Sequence, residues 1–339
     1  MIHDFLNVKN SLRTLTDAEF ENVLPQLAYE LESVSFYPQY TNTELLADWQ
    51  KLLVWNANVS EIASTQRIGM KLCEHFFPNF YDIEDKKGNS FKSLWTAKNL
   101  EKVLRWNRKS HSTPYLSELK RGIYFNFGLP KSTMYRPQTA KMVVSNLGGI
   151  KVFDPCAGWG GRMLGTIAAG AEHYYAFEPN TETYNGLLQL TEFLGIQNKV
   201  SIYKDSALNM KQYGLRDIDV VLTSPPYFDL EVYSHEDTQS ITGCDSYQMW
   251  LDKFLTPLVL GAQETLKDTG WSCWNVHNVG KMKMIEDVAT LHTTFNTRKI
   301  YSVISSRRQA NQTVPTKNQK NSDVTVCYSK RVSNKEMFF

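Results

Sequence analysis

The chain has 339 residues and a formal net charge of only +2, with 42% apolar and 21% charged residues. That length can bury one large core or two modest ones. The near-neutral balance excludes a histone-like coat protein and leaves any nucleic-acid contact to local basic patches.

The N-terminal stretch MIHDFLNVKNSLRTLTD is interrupted by Asp4, Asn7 and Lys9, so it lacks the apolar core of a signal peptide. No run of 18 apolar residues follows anywhere, which argues against a membrane-spanning helix. The cysteines, at 73, 156, 244, 273 and 327, are scattered with no C-x-x-C pair, pointing to reduced thiols, a cytoplasmic setting and no zinc site. Residues 1 to about 100 read as mostly helical. TNTELLADWQKLLVW has apolar residues at helical spacing behind a threonine cap, Thr41 or Thr43, and ASTQRIGMKLCEHFFPNF reads as another helix ending near Pro78. The segment KVLRWNRKSHSTPYLSELKRG (102–122) carries six Lys/Arg against one Glu. It is either a solvated face or a phosphate-contacting surface, with Arg105, Arg108 and Lys109 as the contact candidates.

From residue 151 strands and helices alternate. The strand candidates are KVFDPC (151–156), HYYAFE (173–178), KVSIYKD (199–205), DIDVVLTS (217–224), GWSCWNV (270–276), RKIYSVISS (298–306) and DVTVCYSK (323–330). Helical patterns over 161–169, 181–195, 246–267 and 282–295 fill the gaps. This order predicts an α/β fold: a seven-stranded, mainly parallel, Rossmann-like sheet with helices on both faces. In such sheets ligands bind beyond the carboxyl ends of the strands, so the residues just after each strand carry the information.

The first strand ends in FDPCAGWGGR (153–162), an acidic residue followed by glycines at 158, 160 and 161. Glycines allow backbone to approach a ligand closely, and the N–H groups of the following helix point into the crevice. The run lacks the terminal Lys-Ser/Thr of a phosphate-binding loop, which disfavours an NTPase. Asp154 would repel a pyrophosphate but suits a cationic ligand. The second strand ends in AFEPN, where Glu178 can accept from both hydroxyls of a ribose or act as a helix-start cap. The third ends in KDS, where Asp205 can accept from an adenine amino group, a reading that Asp205 alone does not decide. Together the three acidic tips describe a pocket for an adenosine attached to something positively charged, which S-adenosyl-L-methionine fits better than a dinucleotide.

The fourth strand ends in VLTSPPYFDLEVY (221–233). Tyr227 offers an aromatic face on which a planar base can stack. Ser224 Oγ and the Pro225 carbonyl can accept from an exocyclic amino group, on a backbone stiffened by Pro225 and Pro226. A base presented there must be rotated out of any duplex.

DPCAGWGG followed by TSPPYF resembles the two hallmark motifs of the class I S-adenosylmethionine-dependent methyltransferases that modify exocyclic amino groups of DNA bases. The resemblance covers about 130–330 and divides the chain into a helical region, 1–122, with a candidate role in target recognition, and a methyltransferase domain, 123–339. It implies direct methyl transfer to N4 of cytosine or N6 of adenine, with Ser at the first motif position leaning slightly toward cytosine. It implies that Asp154, Cys156, Ala157, Gly158 and Gly160 surround the methionine part, Glu178 the ribose and Asp205 the adenine; the Cys156 thiol itself is read as structural. Ser224, Pro225, Pro226 and Tyr227 form the catalytic lip, with Phe228 flanking the base. KSTMYRPQTAKMVV (131–144) looks like the element that closes over the methionine moiety, with Thr133 and Arg136 as its candidates. The last two strands form the reversed edge of the fold. The resemblance further implies DNA as partner and a cognate restriction endonuclease. Little chain remains after 230 for a separate recognition domain. The loop SSRRQANQTVPTKNQKN (305–321), with Arg307, Arg308 and Lys317, is therefore a second candidate for phosphate contacts, or else an ordinary polar loop. An RNA amino-methyltransferase and a catalytically silent nucleic-acid-binding protein are the alternatives.

Overall fold

The computed structural model describes residues 2–63, 65–129, 132–304 and 321–330. The chain divides into two units. One comprises 1–39, 78–133 and 229–235, and the other 40–77, 134–228 and 236–339.

The first unit is helical. Helix Asp17–Glu32 starts at a capping box in which Thr16 and Glu19 satisfy each other's backbone amides. Its apolar stripe, Phe20, Leu24, Leu27 and Leu31, packs with Leu100, Val103 and Leu104 of helix Ala97–Lys109 and with Leu119 and Ile123 of helix Leu116–Phe127. The spacing of three and four between these residues puts them on one face of each helix.

Among the described residues the second unit has eight strands: β1 Glu61–Ala63, β2 Lys151–Asp154, β3 His173–Phe177, β4 Val200–Tyr203, β5 Ile218–Thr223, β6 Leu266–Asn275, β7 Thr297–Ile304 and β8 Asn321–Ser329. Their order in the sheet is β1-β7-β8-β6-β5-β2-β3-β4. Every neighbour pair is parallel except those that β8 makes with β6 and β7. The α/β expectation therefore holds, with two corrections. The sheet has eight strands rather than seven, because the three residues of β1 are too few to show a period. The reversed strand is not at the edge: β8 returns into the gap beside β6, leaving β7 and then β1 outside it. The helix expected from residue 63 and ending near Pro78 is present but starts later, spanning Met70–Phe76, with Ala63 ending β1.

Helix Asn42–Val54 belongs to this second unit. Thr41 is its cap, paired with Glu44. At its other end the buried Lys141 ammonium donates to the carbonyls of Leu52, Leu53 and Trp55 at 2.9, 2.8 and 2.8 Å. A cation on the carbonyl end of a helix satisfies otherwise unpaired acceptors and complements its dipole. Helix Pro137–Leu147 lies against helix Gly161–Ala168 so closely that a Cβ on Gly161 would sit 1.9 Å from the Tyr135 carbonyl oxygen. Gly161 is thus required by packing, whatever else the glycine-rich turn does. Among the described residues, no helix is long and apolar enough to cross a membrane.

Candidate functional site

The parallel strands β6, β5, β2, β3 and β4 lie side by side and end together. Asp154 closes β2, Glu178 follows β3 directly, Asp205 lies two residues past β4, and Ser224 follows β5. The sequence-predicted tips are therefore neighbours along one end of the sheet.

Asp154 is fully buried, and its carboxylate is engaged by protein. Oδ2 accepts from Arg162 Nε at 2.6 Å and from the Tyr174 hydroxyl at 2.7 Å. Oδ1 accepts from Thr223 Oγ1 at 2.7 Å and from the Cys156 amide at 3.1 Å. Four donors fill what an ionised carboxylate offers, so Asp154 organises the turn from beneath and does not present a free charge to a cationic ligand. Arg162 completes the arrangement. Its guanidinium donates to the Ala157 carbonyl at 3.1 Å and to that of Cys156, and stands 5.2 Å from the centre of the Tyr135 ring. Burial works against its charge, but adjacent Asp154 more than offsets this and holds it above its usual range. The Cys156 thiol is pushed up by burial and by the Asp154 charge, which suits a structural sulfur rather than a nucleophile.

The turn held in this way carries Gly158 and Gly160 at φ 55° and 71°. The Gly158 amide donates to Glu178 Oε2 at 2.9 Å, and the Asn180 amide to Oε1 at 3.0 Å. Glu178 is nine-tenths buried, and burial pushes its carboxyl up to about 7 although both amides work the other way. Two donors use half of its acceptor capacity. An added Cβ on Gly158 would make ordinary van der Waals contact with Arg162 Nη2 at 3.7 Å and with the Cys156 carbonyl oxygen at 3.9 Å. Ala157 is buried and ties the turn to β3 through its amide, 2.9 Å from the Phe177 carbonyl. Asp205 is half-buried and accepts from the Ser206 amide, Asn209 Nδ2 and the Tyr213 hydroxyl at 2.7, 2.8 and 2.9 Å. Burial alone would raise its pKa, but these donors outweigh it and lower the value.

Ser224, Pro226, Tyr227 and Phe228 are half-buried and Pro225 is buried, so the motif forms a lip on the core rather than its filling. Tyr227 and Phe228 rest on the hydrophobic cluster that includes Trp250 and Trp274. The Phe228 ring lies 6.1 Å from that of Tyr247 and 6.2 Å from that of Trp250. Ser224 Oγ donates toward the backbone carbonyl of Asn275 at 3.2 Å and toward its Oδ1 at 3.3 Å.

The remaining predicted residues have partners of their own or stand exposed. Arg136 caps helix Pro137–Leu147 and donates to the Gln66 carbonyl at 2.7 Å. Thr133 is exposed and falls in the helical unit. In that unit Arg105 pairs with Glu21 and Glu101 at 2.6 and 3.2 Å. Arg108 donates to the carbonyls of Leu12 and Leu15, pairs with Asp17 and covers the Phe20 ring. Both arginines are spent inside the unit, which favours the solvated-face reading of 102–122 at these positions, while Lys109 is exposed. Arg307, Arg308 and Lys317 lie outside the described residues. Sequence reading missed Arg162, Tyr135, Thr223 and Asn275. Arg162 stands inside the quoted glycine-rich run, and Asn275 ends a strand; the strand-end rule applied to β6 finds it.

No family model and no curated protein matches the chain. Solved structures do resemble it distantly. An S-adenosylmethionine-dependent methyltransferase from Agrobacterium tumefaciens shares 14% identity over 57% of this chain and 61% of its own, with a TM-score of 0.40. An rRNA methylase from Streptococcus thermophilus shares 15% over 59% of this chain and 99% of its own, at 0.39. An S-adenosylmethionine-dependent O-methyltransferase from Thermotoga maritima shares 12% over 60% and 69%, also at 0.39. Scores of this size carry no information on activity or substrate.

Proposed function

We propose that this chain is an S-adenosylmethionine-dependent methyltransferase acting on the exocyclic amino group of a nucleic-acid base. DNA is the proposed polymer, with N4 of cytosine or N6 of adenine as acceptor and Ser224 tilting the choice slightly toward cytosine. One observation carries the reading: a buried Glu178 bound to the Gly158 amide and a Ser-Pro-Pro-Tyr lip at the ends of β3 and β5, with only β2 between them.

The residues fit the cofactor. Glu178 keeps half of its acceptor capacity beside the Gly158 backbone, which suits a ribose diol. Asp205, already accepting three hydrogen bonds, retains room for an adenine amino group. The backbone of Cys156, Ala157 and Gly160 would border the methionine part. When bound, S-adenosylmethionine supplies a methyl group that a nitrogen lone pair can take directly. The chain's own part is to hold that nitrogen. Ser224 Oγ and the Pro225 carbonyl accept the amino hydrogens, the two prolines keep these acceptors in place, and Tyr227 stacks on the base.

Incubation with labelled cofactor and duplex DNA, single-stranded DNA or RNA in separate arms, followed by nucleoside mass spectrometry, tests the proposal. N4-methylcytosine or N6-methyladenine from DNA is the expected product. Product from RNA alone would transfer the reading to RNA, and no uptake of the methyl donor would end it. Tyr227→Ala should abolish transfer while leaving cofactor affinity, read by calorimetry, within about twofold of wild type, since stacking touches the base and not the cofactor.

A further inference from the structure

The register of the sheet places a second residue behind the catalytic serine. Thr223 pairs with Trp274, so Ser224 emerges from β5 alongside Asn275 at the end of β6. Asn275 in turn pairs with Thr325 of β8. It is nine-tenths buried, and its amide orientation is settled by its partners. The Val324 carbonyl can only accept, so the group facing it at 3.0 Å is Nδ2, and Oδ1 faces Ser224. Thr325 Oγ1, 3.5 Å from Nδ2, lies 3.0 Å from the Tyr135 hydroxyl.

Ser224 Oγ has a single hydrogen, and both groups within reach of it on Asn275 are acceptors: the backbone carbonyl at 3.2 Å and Oδ1 at 3.3 Å. The hydrogen is therefore drawn toward β6, and the lone pairs of Oγ are left for whatever meets the lip. We infer that Asn275 is a positioning residue that fixes Ser224 as a hydrogen-bond acceptor and so selects a substrate bearing an amino group over one bearing a carbonyl. The inference rests on the methyltransferase reading above and names what makes its serine suited to an amino nitrogen. A serine free to rotate would serve donor and acceptor substrates alike. A serine held by two acceptors would offer a carbonyl oxygen nothing but repulsion.

A double-mutant cycle on the full chain tests this, with methyl transfer to the polymer the wild type modifies and cofactor affinity by calorimetry as the two readouts. Asn275→Leu alone is expected to lower kcat about fivefold and to leave cofactor affinity within about twofold. In a Ser224→Ala background the same change should cost nothing further, because no hydroxyl is left to orient. An equal loss in both backgrounds would overturn the inference and make Asn275 a structural support only. Should Asn275→Leu fail to fold, Asn275→Thr, which suits a strand, runs the same cycle. A wild-type chain that binds the cofactor yet methylates neither DNA nor RNA would overturn the methyltransferase reading and the inference with it. That result is distinct, since the cycle begins from measurable transfer.

Discussion

Two arginine–carboxylate pairs, one in each unit, share a chemistry and differ in almost everything else. Arg162 and Asp154 are 5% and 0% exposed in their side chains, while Arg105 and Glu21 are 47% and 54% exposed. Both pairs close at 2.6 Å. The buried pair has no water to replace its partners, so the guanidinium also takes two carbonyls and the carboxylate three further donors, and the glycine-rich turn is shaped around them. The exposed pair is screened by solvent and holds two long side chains for little return. Distance alone therefore says nothing of what an ion pair does; burial decides whether it organises backbone or merely decorates a helix.

Removing one partner of the buried pair should have the largest effect. Arg162→Met leaves Asp154 without its cation in the core and is expected to cost about 3–5 kcal/mol of stability, read by urea unfolding. A midpoint unchanged from wild type would erase the contrast between the two pairs. The next effect concerns Glu178, whose carboxyl stands near 7 in the absence of ligand. Hydroxyl donors favour the ionised form, so bound cofactor lowers this value, and affinity should fall as pH drops through it, by about tenfold per unit once below. Calorimetry between pH 8 and 6 reads the slope, and Glu178→Gln should flatten it. The smallest effect belongs to the exposed pair. Arg105→Ala should shift stability by less than about 1 kcal/mol, and, with this cation already matched by Glu21 and Glu101, it should leave the salt dependence of any nucleic-acid binding unchanged. A clear drop in that slope would restore Arg105 to a polymer-contacting role.

The alternation of strand and helix after residue 151 was legible because buried parallel strands read as short apolar runs, and the acidic tips stood out as polar residues ending them. The basic segment was misleading for the opposite reason. Counting charges along 102–122 cannot show that Arg108 folds back on the carbonyls of Leu12 and Leu15, or that the acids answering Arg105 include one 84 residues away. The three residues of β1 left no period to read, and the place of β8 inside the sheet depends on pairings that no local pattern records.

By itself the amino-acid order determined the α/β alternation, the strand-end positions of Asp154, Glu178, Asp205 and Ser224, and the stiffness of the proline pair, because each follows from local periodicity and ring geometry. Tertiary structure alone decided that Asp154 is consumed by Arg162, Tyr174 and Thr223, while Glu178 keeps capacity to spare. It also decided that Asn275 stands behind Ser224. The physical reason is that a polar group's role depends on which donors and acceptors surround it once water is excluded, and those neighbours come from strands far apart in the chain.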